Sequence, residues 1–134
     1  MMIDTSAIMA VLFGEPEAES IRQAIARDPV RIMSALTWLE LTMVMESRRG
    51  LAAVAELEAM ISDLHVIIHP FDAAQARRAL QAWRQYGKGR HPAGLNLGDV
   101  CTYAAAIDQG EPILFKGDDF SSTDCAKVDV TALQ

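Results

Sequence analysis

A chain of 134 residues with 51% hydrophobic content has room for one domain with a core of its own, here 1–134, and no linker, repeat or low-complexity tract marks a second. No apolar run approaches the roughly 20 residues of a membrane span, and the opening MMIDTSAIMAVLF lacks a basic leader and a cleavage site, so a soluble, cytoplasmic protein with no membrane partner is expected. The formal charge of −6 opposes a nucleic-acid partner at first sight, yet the charge is uneven: residues 73–98 hold Arg77, Arg78, Arg84, Lys88 and Arg90 and no acid.

In chain order, MMID reads as a first short strand, ended by Asp4. Proline at position 16 suits the first turn of a helix near 16–27. PVRIM is a second strand, after which Ser34 caps a helix to about Arg49 that Gly50 ends, and LAAVAELEAMISDL forms another. HVIIHP is a third strand. Asp72 with Gln75 three residues on has the pattern of a capping box, and Ala76, Leu80 and Trp83 recur on one face of the helix it opens, which runs to about Tyr86. The loop YGKGRHPAGLN follows, then a helix capped by Asn96 and stopped at Gly110. PILF and KVDV complete the strands. Strands buried on both faces and separated by helices predict an α/β sandwich with a mainly parallel central sheet of about five strands.

Four acidic positions stand out against this frame. Asp4 and the Asp118–Asp119 pair follow strands, where ligands of parallel sheets gather. Asp99 lies in the first turn of its helix, where the dipole favours a carboxylate. Glu40 sits beside the apolar positions Leu36, Leu39 and Met43, so it borders a core-facing stripe. Carboxylates that converge repel one another unless a cation neutralises them, which points to a divalent metal. Each also has a plain structural explanation: a helix cap for Asp4, a dipole partner for Asp99, an arginine's partner for Glu40, a turn residue for Asp118 or Asp119. Cys101 and Cys125 lie outside any CxxC or Cys/His array and read as buried thiols.

MIDTSA, the helical glutamate about 36 residues later, LNLGD and the late ILFKGDDF together resemble the PIN-domain ribonucleases, specifically the VapC toxins of toxin–antitoxin pairs. The resemblance spans essentially the whole chain. It implies a three-layer PIN-like α/β/α sandwich and an Mg²⁺- or Mn²⁺-dependent endoribonuclease that cuts structured RNA such as tRNA or rRNA. It also implies inhibition by a VapB-like antitoxin and assembly as a homodimer or, with antitoxin, a heterotetramer or larger. Residue by residue, Asp4, Glu40 and Asp99 match the three central acids, with Asp4 and Asp99 the first choices as metal ligands. The fourth falls on Asp118 or Asp119, and Asp118 is preferred as nearer the strand end. Thr5 resembles the hydroxyl that holds Asp4 or a bound water. Arg84, Lys88 and Arg90 lead toward Asp99 and are candidates to guide RNA. Two other readings compete: a different Mg²⁺-dependent phosphohydrolase, although no Gly-rich phosphate cradle is visible, and a non-catalytic binding module of the same fold.

Overall fold

A computed structural model describes residues 1–130; the last four, 131–134, lie outside the described residues. Four parallel strands, β1 (Met2–Ile3), β2 (Ile32–Ser34), β3 (Ile67–His69) and β4 (Ile113–Leu114), form one sheet in the order β3-β2-β1-β4. The helices are α1 (Thr5–Leu12), α2 (Ala18–Arg27), α3 (Ala35–Arg49), α4 (Leu51–Asp63), α5 (Ala73–Tyr86) and α6 (Leu97–Gln109).

Alternation along the strands divides the apolar residues into two cores. Met1, Ile3, Met33 and Leu114 pack on one face with α1 to α4. Met2, Ile32 and Ile113 pack on the other with α5, α6 and Phe120. These are the three layers of the expected α/β/α sandwich. The fifth strand is vestigial, for KVDV meets the β4 edge in a single parallel bridge, Ile113 with Lys127. Nor is every strand covered on both faces, because β3 is an edge strand and Ile67 is 63% exposed.

Helix α1 is an addition to the elements expected from the sequence. Ala7, Ile8, Ala10 and Val11 are all buried, and a helix apolar on so many sides shows little periodicity to read. The start of α3 differs in its cap: Ser34 occupies the position, but its hydroxyl makes no capping bond and is buried without a partner among the described residues. At α5 the box is half made, since Asp72 accepts from the Gln75 backbone while the Gln75 side-chain oxygen has no partner among the described residues. The core-facing side of α5 is Gln75, Ala79, Ala82 and Tyr86; Ala76, Leu80 and Trp83 line a groove instead. Helix α6 ends as expected, with Gly110 in the left-handed conformation at φ 64°.

The strand order reverses at β1. The chain steps from β1 to β2 to β3 on one side, then crosses to β4 on the other, so the carboxyl end of β1 lies at the switch point where parallel α/β sheets bind ligands. Asp4 is the first residue beyond that end.

Candidate functional site

Asp4 caps α1 and is 5% exposed. Its Oδ2 accepts from the Ser6 backbone N–H at 3.1 Å and the Ser6 hydroxyl at 2.7 Å, and its Oδ1 accepts from Thr102 Oγ1 at 2.8 Å. Burial raises the Asp4 pKa, the Ser6 and Thr102 hydrogen bonds oppose the rise, and the charge of Asp119 adds to it. The capping explanation therefore holds for Asp4: Oδ2 caps the helix, while Oδ1 is bound by a residue of α6.

Asp99 is also doubly engaged. With Asn96 it forms a reciprocal capping box, Asp99 N–H to Asn96 Oδ1 at 2.9 Å and Asn96 N–H to Asp99 Oδ2 at 3.0 Å. Its Oδ1 has no hydrogen bond among the described residues. Burial pushes this carboxyl up to about 7; the Asn96 N–H holds it down, and the charges of Asp4, Asp119 and Glu40 push it further up. The charges of three acids, from the end of β1, from α3 and from the loop after β4, thus reach Asp99.

Glu40 reaches the cluster from α3. Its Oε1 accepts from Thr5 Oγ1 at 3.0 Å, so Thr5 holds Glu40, and the expected contact of Thr5 with Asp4 falls to Ser6. Gly98 makes room for it: a Cβ there would stand 2.6 Å from both Glu40 carboxylate oxygens. Gly98 was the readable signal missed in LNLGD, since a glycine inside the first turn of a helix lowers helix propensity and needs a packing reason.

For the fourth acid the sequence leaves Asp118 and Asp119 open, with Asp118 preferred. Asp119, not Asp118, is the neighbour felt by Asp4 and Asp99. Asp118 lines a separate shallow groove with Glu17, Lys116 and Lys127. The loop's register is set by Phe120, fully buried against Phe115, by the Tyr103 hydroxyl donating to Asp124 at 2.5 Å, and by Lys116 N–H donating to Ser6 Oγ at 3.0 Å. Asp119, the exposed residue just before the anchored Phe120, lies near enough for its charge to reach Asp4. Sequence reasoning also missed Thr37 and Thr102, whose hydroxyls lie 3.0 Å apart in the core behind Asp4.

No lysine or arginine forms an ion pair with any of these four acids among the described residues. That absence removes the arginine-partner explanation for Glu40. An all-oxygen donor set, with two members protonated more readily than usual, fits a hard divalent cation. Among the described residues no three His, Cys, Asp or Glu side chains are gathered closely enough to coordinate one ion by themselves. Mg²⁺ is compatible with this spacing because it keeps several waters and needs one or two direct carboxylates. Cys101 and Cys125 are buried free thiols, as expected.

Two apolar grooves flank the acids. One, of about 340 Å³, is lined by Leu36, Leu39, Glu40, Met43, Val44 and Leu97 with Gly98. The other, of about 540 Å³ between α5 and α6, includes Phe71, Leu80, Trp83, Lys88, Asn96 and Leu97 in its wall. Leu97, 70% exposed, is the ridge between them. Lys88 lines the second groove, and its N–H donates to Leu95 O while Leu95 N–H donates to Tyr86 O, which folds the basic loop back beside the first turn of α6.

Fold and site together define a parallel α/β protein with acidic residues near the switch point of its sheet. Comparison with known proteins gives that class its family: the PIN domain profile matches residues 1–125, and the chain belongs to the PIN-domain family. It is 49% identical to a Ribonuclease VapC of Mycolicibacterium smegmatis, covering 96% of this chain and 99% of that protein. Ribonuclease VapC30 of Mycobacterium tuberculosis is 45% identical, with 96% and 98% covered. Among solved structures, Mycobacterium tuberculosis VapC20, described as a sarcin–ricin loop cleaving toxin, shares the fold with a TM-score of 0.77 at 18% identity, covering 95% of this chain and 97% of that one. DNA-bound VapBC from Salmonella typhimurium follows at 0.71 and 18%, with 96% and 95% covered. No helix among the described residues is long and apolar enough to cross a membrane.

Proposed function

We propose that this chain is a metal-dependent endoribonuclease of the VapC kind, which hydrolyses phosphodiester bonds in structured RNA and is silenced by a VapB-like antitoxin. The observation that carries the reading is that the charges of Asp4, Glu40 and Asp119 reach Asp99 while no cationic side chain pairs with any of the four among the described residues. Relatives named Ribonuclease VapC at 45–49% identity over nearly the whole chain support the nuclease activity.

Asp4 and Asp99 would hold Mg²⁺ or Mn²⁺, with Asp119 at the rim. When bound, such an ion supplies neutralisation of the acids and Lewis-acid polarisation of the phosphodiester. The chain's own residues do the positioning. Ser6 and Thr102 fix both oxygens of Asp4, and the capping box fixes the plane of Asp99. Glu40, steadied through one oxygen by Thr5, keeps the other for the water that attacks phosphorus, orienting it and accepting its proton.

Charge complementarity favours the α3 groove as the seat of the antitoxin. An amphipathic helix laid on Leu39, Met43 and Leu97 would bring a basic side chain to Glu40 at the groove's end. Structures similar in fold include a toxin–antitoxin complex from Klebsiella pneumoniae, with a TM-score of 0.74.

The test is incubation of the purified protein with total RNA in Mg²⁺, Mn²⁺ or EDTA, with cleavage ends mapped. Discrete new ends in either metal, absent in EDTA and absent for Asp4→Asn and Asp99→Asn, are expected. Intact RNA in both metals from a folded protein overturns the proposal.

A further inference from the structure

The groove between α5 and α6 has walls unlike those of its neighbour across Leu97. Phe71, Leu80, Trp83 and Leu97 give it an apolar lining, and its polar members are Lys88 and Asn96, the latter bonded to Asp99. Trp83 is held in place. Its indole lies so close to Gly87 that a Cβ there would fall 2.4 Å from Cδ1, and the Arg90 guanidinium stacks on the ring at 4.1 Å. The segment 73–98 that supplies most of its wall carries charge of one sign: Arg77, Arg84, Lys88 and Arg90 form no ion pair among the described residues, and no acid occurs there.

Basic residues at the end of α5 also suit the helix dipole, which is reason enough for Arg84. The dipole does not explain an exposed tryptophan beneath an arginine, nor a groove that ends at the acidic site. An apolar slot rimmed by unpaired cations fits a ligand with a flat face and a phosphate, and it repels the basic segment that suits the α3 groove.

We infer that the α5–α6 groove is a nucleotide subsite, in which an unpaired base next to the cleaved bond rests against Trp83 and Leu80 while Lys88 and Arg90 hold its phosphates. The inference rests on the ribonuclease reading and names where that substrate's unpaired strand lies. It makes Trp83 a specificity-determining contact, and the preference it sets is for single-stranded RNA over duplex, whose bases are stacked away.

The experiment uses Glu40→Gln protein in Mg²⁺, so that binding is read without cleavage, and carries Trp38→Phe so that Trp83 is the sole indole. A short fluorescein-labelled oligouridylate is the probe, with an abasic oligomer of equal length as control. Expected results are quenching of Trp83 by the oligouridylate and much less by the abasic oligomer, and affinity about tenfold weaker for Trp83→Ala. Lys88→Ala and Arg90→Ala should each lower the slope of log affinity against log salt by about one. Leu80→Ser, at a position already 43% exposed, gives a second groove variant should Trp83→Ala disturb folding. Binding unchanged in both groove variants overturns the inference, as does an effect of these variants on an antitoxin-derived helical peptide and not on RNA. If wild-type protein cuts RNA and the groove variants bind normally, the subsite fails alone; if the oligouridylate binds through Trp83 but no RNA is cut, the nuclease reading fails and the subsite stands.

Discussion

Thr102 Oγ1 donates to Asp4 Oδ1 across 2.8 Å, and because a hydroxyl has a single proton, the Thr37 hydroxyl 3.0 Å away is the donor to Thr102. The two threonines, 1% and 0% exposed, thus form a one-way chain from α3 through α6 to the first acid. Replacing Thr102 with Val keeps the shape and removes both bonds. Asp4 loses a buried donor, Thr37 loses its acceptor, and the cost is about 1–3 kcal/mol, measurable by urea unfolding. RNA cleavage should fall with it. Thr102→Ser, which keeps the hydroxyl, should restore cleavage more fully than it restores stability.

Gly98→Ala separates folding from function. The added Cβ meets the far end of a flexible side chain, the Glu40 carboxylate, at 2.6 Å. Glu40 can swing away at little cost, and alanine favours the helix, so the unfolding midpoint should stay near that of the wild type. The carboxylate cannot then stay beside Thr5. A displacement of this size at a catalytic group should cost about a hundredfold in cleavage rate. A variant with full activity would show that Glu40 has no positional role.

The fourth acid is decided by two single substitutions. Asp119→Ala removes a charge that Asp4 and Asp99 both feel, and cleavage should drop at least about tenfold. Asp118→Ala changes an exposed residue that faces Lys116 and Lys127, and activity should stay within about twofold of wild type, in the range of ordinary surface substitutions. The reverse ranking, read in the same cleavage assay, would return the role to Asp118.

The three central acids were legible in the sequence because each leaves a local mark: an aspartate at the end of an apolar strand, a glutamate beside an apolar helical stripe, and an aspartate three residues after an asparagine cap. What was not legible depends on helix phase and loop register. Thr5 and Ser6 are adjacent hydroxyls in the first turn of α1, and a rotation of roughly 100° per residue sends one to Glu40 and the other to Asp4. Asp118 and Asp119 differ by one step in a loop whose register is set by the distant contacts of Phe120 and Tyr103. Thr37 and Thr102 look like ordinary helical threonines until α3 and α6 are packed together. The fifth strand failed for a local reason, since Lys127 and Asp129 alternate with valines and only one bridge forms.

Asp99 sets the pH dependence of stability when no metal is present. Its carboxyl, ordinarily at 3.8, is pushed up to about 7 in the folded protein, so the folded state holds this proton more tightly than the unfolded chain does. Stability from this group is therefore complete below about pH 3.8 and is lost as pH rises toward 7, the reverse of an ion-paired aspartate. Asp99→Asn has no charge to bury and keeps a side-chain oxygen to accept the Asn96 N–H. In EDTA the variant should unfold at higher urea than wild type at pH 8, and the gap should close as pH approaches 4. Adding Mg²⁺ at pH 8 should stabilise wild type, since a cation that binds the folded state alone raises its stability, and should leave Asp99→Asn nearly unmoved. Equal responses of the two proteins to Mg²⁺ would remove Asp99 from the set of metal ligands, whatever the cleavage assays report.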